Sequence, residues 1–528
     1  MKALARLIFA SPLHRLLLSG GVPAAPTAVP NQPPRGSAAR GRRILAGDGL
    51  PDHPDWQSRA LDPATLAALN GFGWLADLAA VGTPQARGQA RRLIGDWLEQ
   101  ERWHPGAWAP EIIGRRITIA LETWSFVIEG AGGPLPRRWL ASLSRQARHL
   151  ARHCDEGADG LPRLEAATGL LHATLAGLGA LDLAATLDRL QREIARQILP
   201  DGGHVERSPA AHAEALDLLV GARDTLTAAG VALPARLEPA IERMCAMTRF
   251  FRHGDGRLAL FNGSGEGDGR ALDRLLQRAG AKAAAPDSAP DSGFERLARH
   301  RTLAIFNTGA PPPRGLDGTA HAGQLSFELS LGRERIVVNC GGAPGAEPAW
   351  SMAARATAAH STMTVDETNS AELRSEGGMV RRPRRLECHR EEADGAVLAA
   401  ASHDGYAPNF GLTHRRRLWL SPDGTDLRGE DVLAGPHAGT FRARFHLHPD
   451  MQTSLIQNGG AALLRAPSGT AWRFSVAGGR LDIAESAYFG SAGQEDLPAV
   501  RRSEQLVVSG QVADGQPLKW AFRMLPRG

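Results

Sequence analysis

The stretch "WAPEIIGRRITIALETW" sets Arg115 and Arg116 between Trp108 and Trp124. A guanidinium fork suits a carboxylate or sulfate, and an indole face suits a sugar ring. The group reads as a binding surface for an anionic sugar. Tryptophans also fill the cores of helical domains, and seven of the eleven lie before residue 140. A second group lies in "PDGGHVERSPAAHAEAL". His212 follows Pro209 at a helix start, with His204 and Glu206 just before it. An imidazole titrates near neutral pH, so His212 is a candidate base, with His204 and Glu206 as substrate contacts. The alternative is a histidine that bridges helices. In "FHLHPDM", His446 and His448 share a strand face, as metal or cleft ligands or as a buried hydrogen-bonded pair. Glu328 and Asp366 are candidates to orient histidines. Glu206 is also one carboxylate of the two that hydrolysis of a glycosidic bond requires, but no second carboxylate is identifiable.

These residues need elements to hold them. From Leu61 to about Met247, apolar residues recur at spacings of three and four, punctuated by Gly and Pro, which predicts helical hairpins packed in series. No strict repeat is present. Residues 1–55 read as an irregular N-terminal segment and 56–280 as the helical domain. "GAKAAAPDSAPDSGFE" shifts to Ala, Pro, Asp and Ser, so 281–299 reads as a linker. Beyond it the period becomes two. In "HAGQLSFELSLGRERIVVNCGG", Phe327, Leu329 and Leu331 alternate with Ser326, Glu328 and Ser330 before a turn at Gly332, so His321 opens a β-hairpin. Many such short runs follow, and 300–528 reads as an antiparallel β-sandwich. The fold class is α+β and multidomain.

The totals narrow the function. A net charge of +5 over 528 residues gives no footprint for nucleic acid. Only three of 61 basic residues are lysine, a bias that reflects either anion recognition or genome composition. The four cysteines form no C-x-x-C pair and suggest no disulfide framework. His14 and Arg15 interrupt the apolar N-terminal run, so it makes a poor signal peptide, and no run of about 18 apolar residues marks a membrane span. The expected compartment is periplasm or cytoplasm, and the oligomeric state is open. "GSGEGDG" lacks the preceding strand and the lysine of a phosphate loop.

The order of elements, the hairpin above, "AARATAAHSTMTVDETNSAE", "PDGGHVERSPAAHAEAL", "HRRRLWLSPDGTDLRGED" and "FHLHPDM" together resemble the heparinase II/III family of polysaccharide lyases, from about residue 55 to 525. The resemblance implies an incomplete α/α toroid followed by an antiparallel β-sandwich. It implies an acidic, uronate-containing polysaccharide as partner, cleaved by β-elimination. That chemistry needs a donor for the uronate carboxylate, a base for the C5 proton and an acid for the departing O4.

The resemblance also assigns residues. Some members hold a structural zinc, whose ligands correspond here to His321, Asn339 and His360. Asn339 stands where an acidic ligand is usual, and both histidines are alternatively hydrogen-bonded interior residues. The pattern departs further on the catalytic side. Pro162 and Arg163 fall where an Asn-His pair is usual, Ala211 where a tyrosine is usual, and Thr319 where a histidine is usual. Arg163 is the replacement candidate for pairing the carboxylate. Tyr406, in "SHDGYAPNFGLTHRR" with His403 and His414 close by, is the candidate acid. Its alternative is surface packing, and Tyr488 is the chain's other tyrosine. The rival expectation is a non-catalytic acidic-polysaccharide binder or exopolysaccharide-processing protein with a degenerate lyase site.

Overall fold

The structure, a computed structural model, describes residues 9, 11–30, 36–51, 53–58, 60–343, 347–491 and 500–526. Residues 1–8, on which the reading of a leader partly rested, lie outside the described residues. Two compact units are present: Met1–Gln197 with Ala215–Ile241, and Ile198–Glu214 with Glu242–Gly528.

The first unit is helical. Its main helices are Pro63–Asn70, Gly73–Val81, Pro84–Gln100, Pro110–Glu122, Leu135–His153, Leu161–Leu175 and Leu183–Gln197. Several begin with proline, whose missing N–H costs nothing in a first turn. Side chains of Asp62 and Thr83 cap the orphan amides of the first and third. Pro110–Glu122 packs on Leu161–Leu175 through Gly114 and Gly169. A Cβ on Gly169 would lie 2.3 Å from Gly114 Cα, so only glycine permits this approach. The 1–55 segment is less irregular than its composition suggests. Ser37 caps a helix at Ala38–Leu45, and Ser11 caps one at Pro12–Leu17. No single described helix is long and apolar enough to cross a membrane.

The second unit is built on two antiparallel sheets. The first runs in spatial order Ser288–Ala289, Phe294–Arg299, Thr302–Asn307, Phe327–Leu331, Glu334–Val338, Thr440–Leu447, Arg501–Gln511 and Arg480–Tyr488, with Met363–Val365 also pairing Thr440–Leu447. The second runs Gln452–Ile456, Ala461–Arg465, Ala471–Ala477, Pro517–Met524, Asp426–Ala434, Thr413–Leu420, Ala396–His403 and Leu386–Ala393. Phe306, Phe327, Leu329, Ile336 and Phe445 of the first share one buried core with Val397, Leu418, Leu427, Phe474, Trp520 and Phe522 of the second. That is a β-sandwich.

Two boundaries differ from the sequence reading. Segments 198–214 and 242–280 belong to the sandwich unit, because Met247, Phe250, Phe251, Phe261 and Leu272 share a buried core with Ala289, Phe294, Leu303 and Ile305. For the same reason 281–299 is not only a linker. It contains the strands Ser288–Ala289 and Phe294–Arg299. The hairpin at Phe327–Leu331 also lacks the solvated face that its alternation predicts. Glu328 and Ser330 are buried, since His253 covers them with hydrogen bonds of 2.9 and 2.8 Å.

Candidate functional site

In the sandwich unit, the chain between Ile198 and Pro209 makes a tight loop closed by an antiparallel bridge of Ile198 to His204. The Asp201 carboxylate accepts from the Ser292 backbone N–H at 2.6 Å and its hydroxyl at 2.8 Å, which ties the loop to the strand region. Arg207 then adopts a left-handed backbone (φ 52°) and donates to the Ala310 and Asp291 carbonyls. The Arg207 carbonyl accepts from Asn262 Nδ2 at 2.9 Å, and Asn262 Oδ1 accepts from the His321 backbone N–H at 3.2 Å. Asn262 thus joins the loop to the hairpin that His321 opens. Its own φ of 46° suits asparagine. Sequence reasoning missed Asn262 and Arg207. The left-handed preference of the Asn-Gly pair at 262–263 was the available signal.

His321 Nδ1 lies 3.0 Å from His360 Nε2, and the rings meet edge to face. His360 Nδ1 faces the Ala356 carbonyl at 2.8 Å, so that nitrogen carries the proton. His360 Nε2 therefore accepts, His321 Nδ1 donates, and His321 Nε2 keeps a lone pair beside Gly263. Burial holds His321 well below its ordinary pKa and His360 down to about 4, so both are neutral at pH 7. Asn339 is not the third member. Its Oδ1 accepts from the Ser361 N–H at 3.0 Å, and its Nδ2 faces Glu328 at 3.3 Å. Zinc takes at least three protein ligands. Among the described residues, no group of three or more His, Cys, Asp or Glu is placed to hold a metal ion. The residues present do not fit a zinc site, and no step here runs through one.

His212 is buried at the start of the helix Pro209–Ala228. Its Nε2 lies 3.0 Å from both the Met244 carbonyl and the Thr248 hydroxyl. Nε2 donates to the carbonyl, leaving Nδ1 as a buried acceptor without a hydrogen bond. Burial lowers its pKa to about 4, so the expectation of a base poised near neutrality is corrected. His204 is buried too and lowered to about 3, by burial and by the proximity of His212. Glu206 is half-buried on the same loop.

Other sequence-predicted residues have interior roles. Tyr406 is fully buried in the sandwich core, and its hydroxyl donates to the Met363 carbonyl at 2.6 Å. Burial raises its pKa. It is not placed as an acid for a substrate, which corrects both that role and the surface-packing alternative. His403 and His414 do lie near it, within the core, where His414 faces Asp431 at 2.8 Å. Tyr488 is also buried, and its hydroxyl donates to Glu266. His446 and His448 diverge: His446 faces Ser486 and the Ala358 carbonyl, and His448 faces Glu266 and Asp450.

In the helical unit, Arg116 is corrected from a substrate contact to a core residue. It is fully buried and donates to Gln146 Oε1 and to the Asn70 and Ala107 carbonyls, with its guanidinium 4.8 Å above the Trp97 ring. Burial lowers its pKa to about 9. Trp108 is likewise a core residue, edge-on to His149. Arg115 keeps a partly exposed side chain but is paired with Glu165 at 2.6 Å. Arg163 donates to the Gly157 carbonyl at 3.2 Å and lies 3.6 Å from Asp159.

These features can be set beside known proteins. Residues 107–285 match the model for the heparinase II/III N-terminus, and residues 281–521 match that for the heparinase II/III-like C-terminal region. A curated relative, FtsZ-localized protein C of Caulobacter vibrioides, is 32% identical, covering 97% of this chain and 92% of its own. A crystal structure of heparinase III superposes with a TM-score of 0.73 at 13% identity, covering 97% of this chain and 88% of that one. The Streptomyces coelicolor chondroitin AC lyase, solved in complex with chondroitin sulphate, gives 0.59 at 11% identity, covering 93% and 79%. At such identities the structural likeness establishes the fold, an α/α toroid followed by a β-sandwich. By its sequence and by that architecture, the chain belongs to the heparinase II/III family.

Proposed function

We propose that this chain uses the heparinase fold to bind rather than to eliminate, and that it works where FtsZ assembles. One observation carries the first half. The chain has two tyrosines, and both are interior with their hydroxyls committed, Tyr406 to a backbone carbonyl and Tyr488 to Glu266. β-Elimination across a uronate needs a base for C5 and an acid for O4 within hydrogen-bond reach. No phenol is available, and His212 directs its protonated nitrogen into the protein. The second half is supported by the relative, whose name places that protein with FtsZ and whose identity to this chain extends along nearly all of both.

The test is microscopy of a fluorescently tagged chain in the cells it comes from. The expected result is a signal that follows FtsZ and disperses when FtsZ is depleted. A signal indifferent to FtsZ would remove that half of the reading.

The second reading is a lyase that cleaves an acidic, uronate-containing polysaccharide by β-elimination. His321 favours it: its Nε2 lone pair lies beside Gly263, on a loop that Asn262 ties to Arg207. In that reading the imidazole takes the C5 proton, and the carboxylate is held by a donor from the same loop.

A further inference from the structure

We propose that a pocket in the sandwich unit, separate from the His321 loop, binds a tetrahedral oxyanion: phosphate or sulfate, free or as an ester. The pocket has a volume of about 460 Å³ and includes Arg249, Arg252, Arg296 and Arg301 in its wall, with no carboxylate among its described lining residues. Arg249 and Arg252 come from the end of the helix Leu237–Phe250 and the turn after it. Arg296 is on the strand Phe294–Arg299, and Arg301 is on the two-residue turn that joins it to Thr302–Asn307.

The backbone is built to bring these together. A Cβ on Gly254 would lie 2.1 Å from the Gly332 carbonyl oxygen, so the loop after the helix can touch the hairpin only as glycine. Gly332 itself takes a left-handed backbone (φ 55°), which glycine adopts at no steric cost.

The charges are unevenly matched. Arg252 has a carboxylate in ion-pair distance, Asp273 at 2.6 Å. Arg249 donates to the Ala281 and Ala283 carbonyls, which orient it without cancelling its charge. Arg296 is half-buried in the wall, and Asp287, whose charge reaches it, is not part of that wall. Arg301 has no side-chain partner among the described residues and is exposed. Guanidinium forks match pairs of oxygens on a tetrahedral anion and hold their charge at any physiological pH. The volume also admits a sugar-sized group behind the anion.

Isothermal titration of the full chain at fixed ionic strength tests this, with inorganic phosphate, sulfate, glucose 6-phosphate and glucose. The oxyanions are expected to bind and glucose not to. Tighter binding of glucose 6-phosphate than of phosphate would identify an ester as the ligand, and equal binding the free anion. Arg301→Ala, an exposed change that leaves the core intact, is expected to weaken binding by about tenfold, as for loss of one charge-assisted bidentate contact. Arg480→Ala, at an exposed position on another strand, is expected to leave it unchanged. No binding at millimolar oxyanion, or equal losses in both variants, overturns the proposal.

Discussion

Asp431→Ala is expected to destabilise the sandwich unit by about 3–5 kcal/mol, the range for stripping one partner from a buried ion pair. Asp431 and Arg416 are both fully buried between the sheets. Arg416 Nε and Nη2 donate to the two carboxylate oxygens at 2.7 and 3.0 Å, and its Nη1 donates to the Leu325 and Ser361 carbonyls at 2.8 and 2.7 Å. Asp431 also accepts from Trp520 Nε1 at 2.8 Å and faces His414. Burial alone would raise the Asp431 pKa, but Arg416 and His414 outweigh it and hold the carboxyl well below the usual range. Removing the carboxylate leaves a guanidinium in an apolar core, above the faces of Phe327 and Trp520. The effect reaches the candidate site, because Leu325 and Ser361 flank the segments that carry His321 and His360. Denaturant midpoints at constant slope measure it. A double variant, Arg416→Met with Asp431→Ala, is expected to recover part of the loss, because the buried charge goes with its partner. A cost below about 1 kcal/mol for Asp431→Ala alone would show that the pair is solvated rather than buried.

Acid is expected to destabilise the protein steeply, starting well above the carboxylate range. Burial lowers His204 and His446 to about 3 and His212 and His360 to about 4 in the sandwich unit, and His149 to about 3 in the helical unit. Unfolded histidine titrates near 6.5. The unfolded chain therefore takes up protons first as pH falls. The stability is fully present above about pH 6.5 and is lost progressively toward the folded values of 3–4. By pH 5 each such histidine accounts for about 2 kcal/mol at most, from 1.36 kcal/mol per pKa unit. Four of them in one unit rival the stability of a whole domain, about 5–15 kcal/mol. Thermal or urea midpoints between pH 8 and 5 are expected to be level at first and to fall sharply below about 6.5. Midpoints that stay level to pH 5 would mean that these rings are hydrated.

The β half was legible because period-two runs such as "THRRRLWLSP" report a sheet with one buried face. The same run hid its most consequential residue. His414, Arg416, Leu418 and Leu420 are the inward positions, and an arginine there reads as polar unless Asp431 is known to face it. The strand Phe294–Arg299 was obscured by its charged residues and by the Pro- and Asp-rich stretch before it. Its Glu295 pairs at 3.2 Å with Arg390 of the strand Leu386–Ala393 in the other sheet, a pairing that composition cannot reveal.

Site residues were less legible than elements for one physical reason. Residue type states what a side chain can bond to, and tertiary placement decides to what. Arg116 beside tryptophans suits a sugar site, and it equally suits a cage of Trp97 and Phe72 inside a helical core. Tyr406 in a polar loop looks available, yet the loop turns it into the sandwich. The histidine pair was legible as a pair and not in its role. His321 and His360 lie 39 residues apart in sequence and form a direct hydrogen bond, which is the interior alternative and not the ligand role that the resemblance implied.

The most direct measurement incubates the protein at high concentration with heparan sulfate, chondroitin sulfate and unsulfated polyuronates, and follows the absorbance band of unsaturated uronate. The account predicts no product from any of them, since neither tyrosine can reach a departing O4. A product that accumulates with time and with protein, and that disappears in a folded His321→Ala variant, would contradict it.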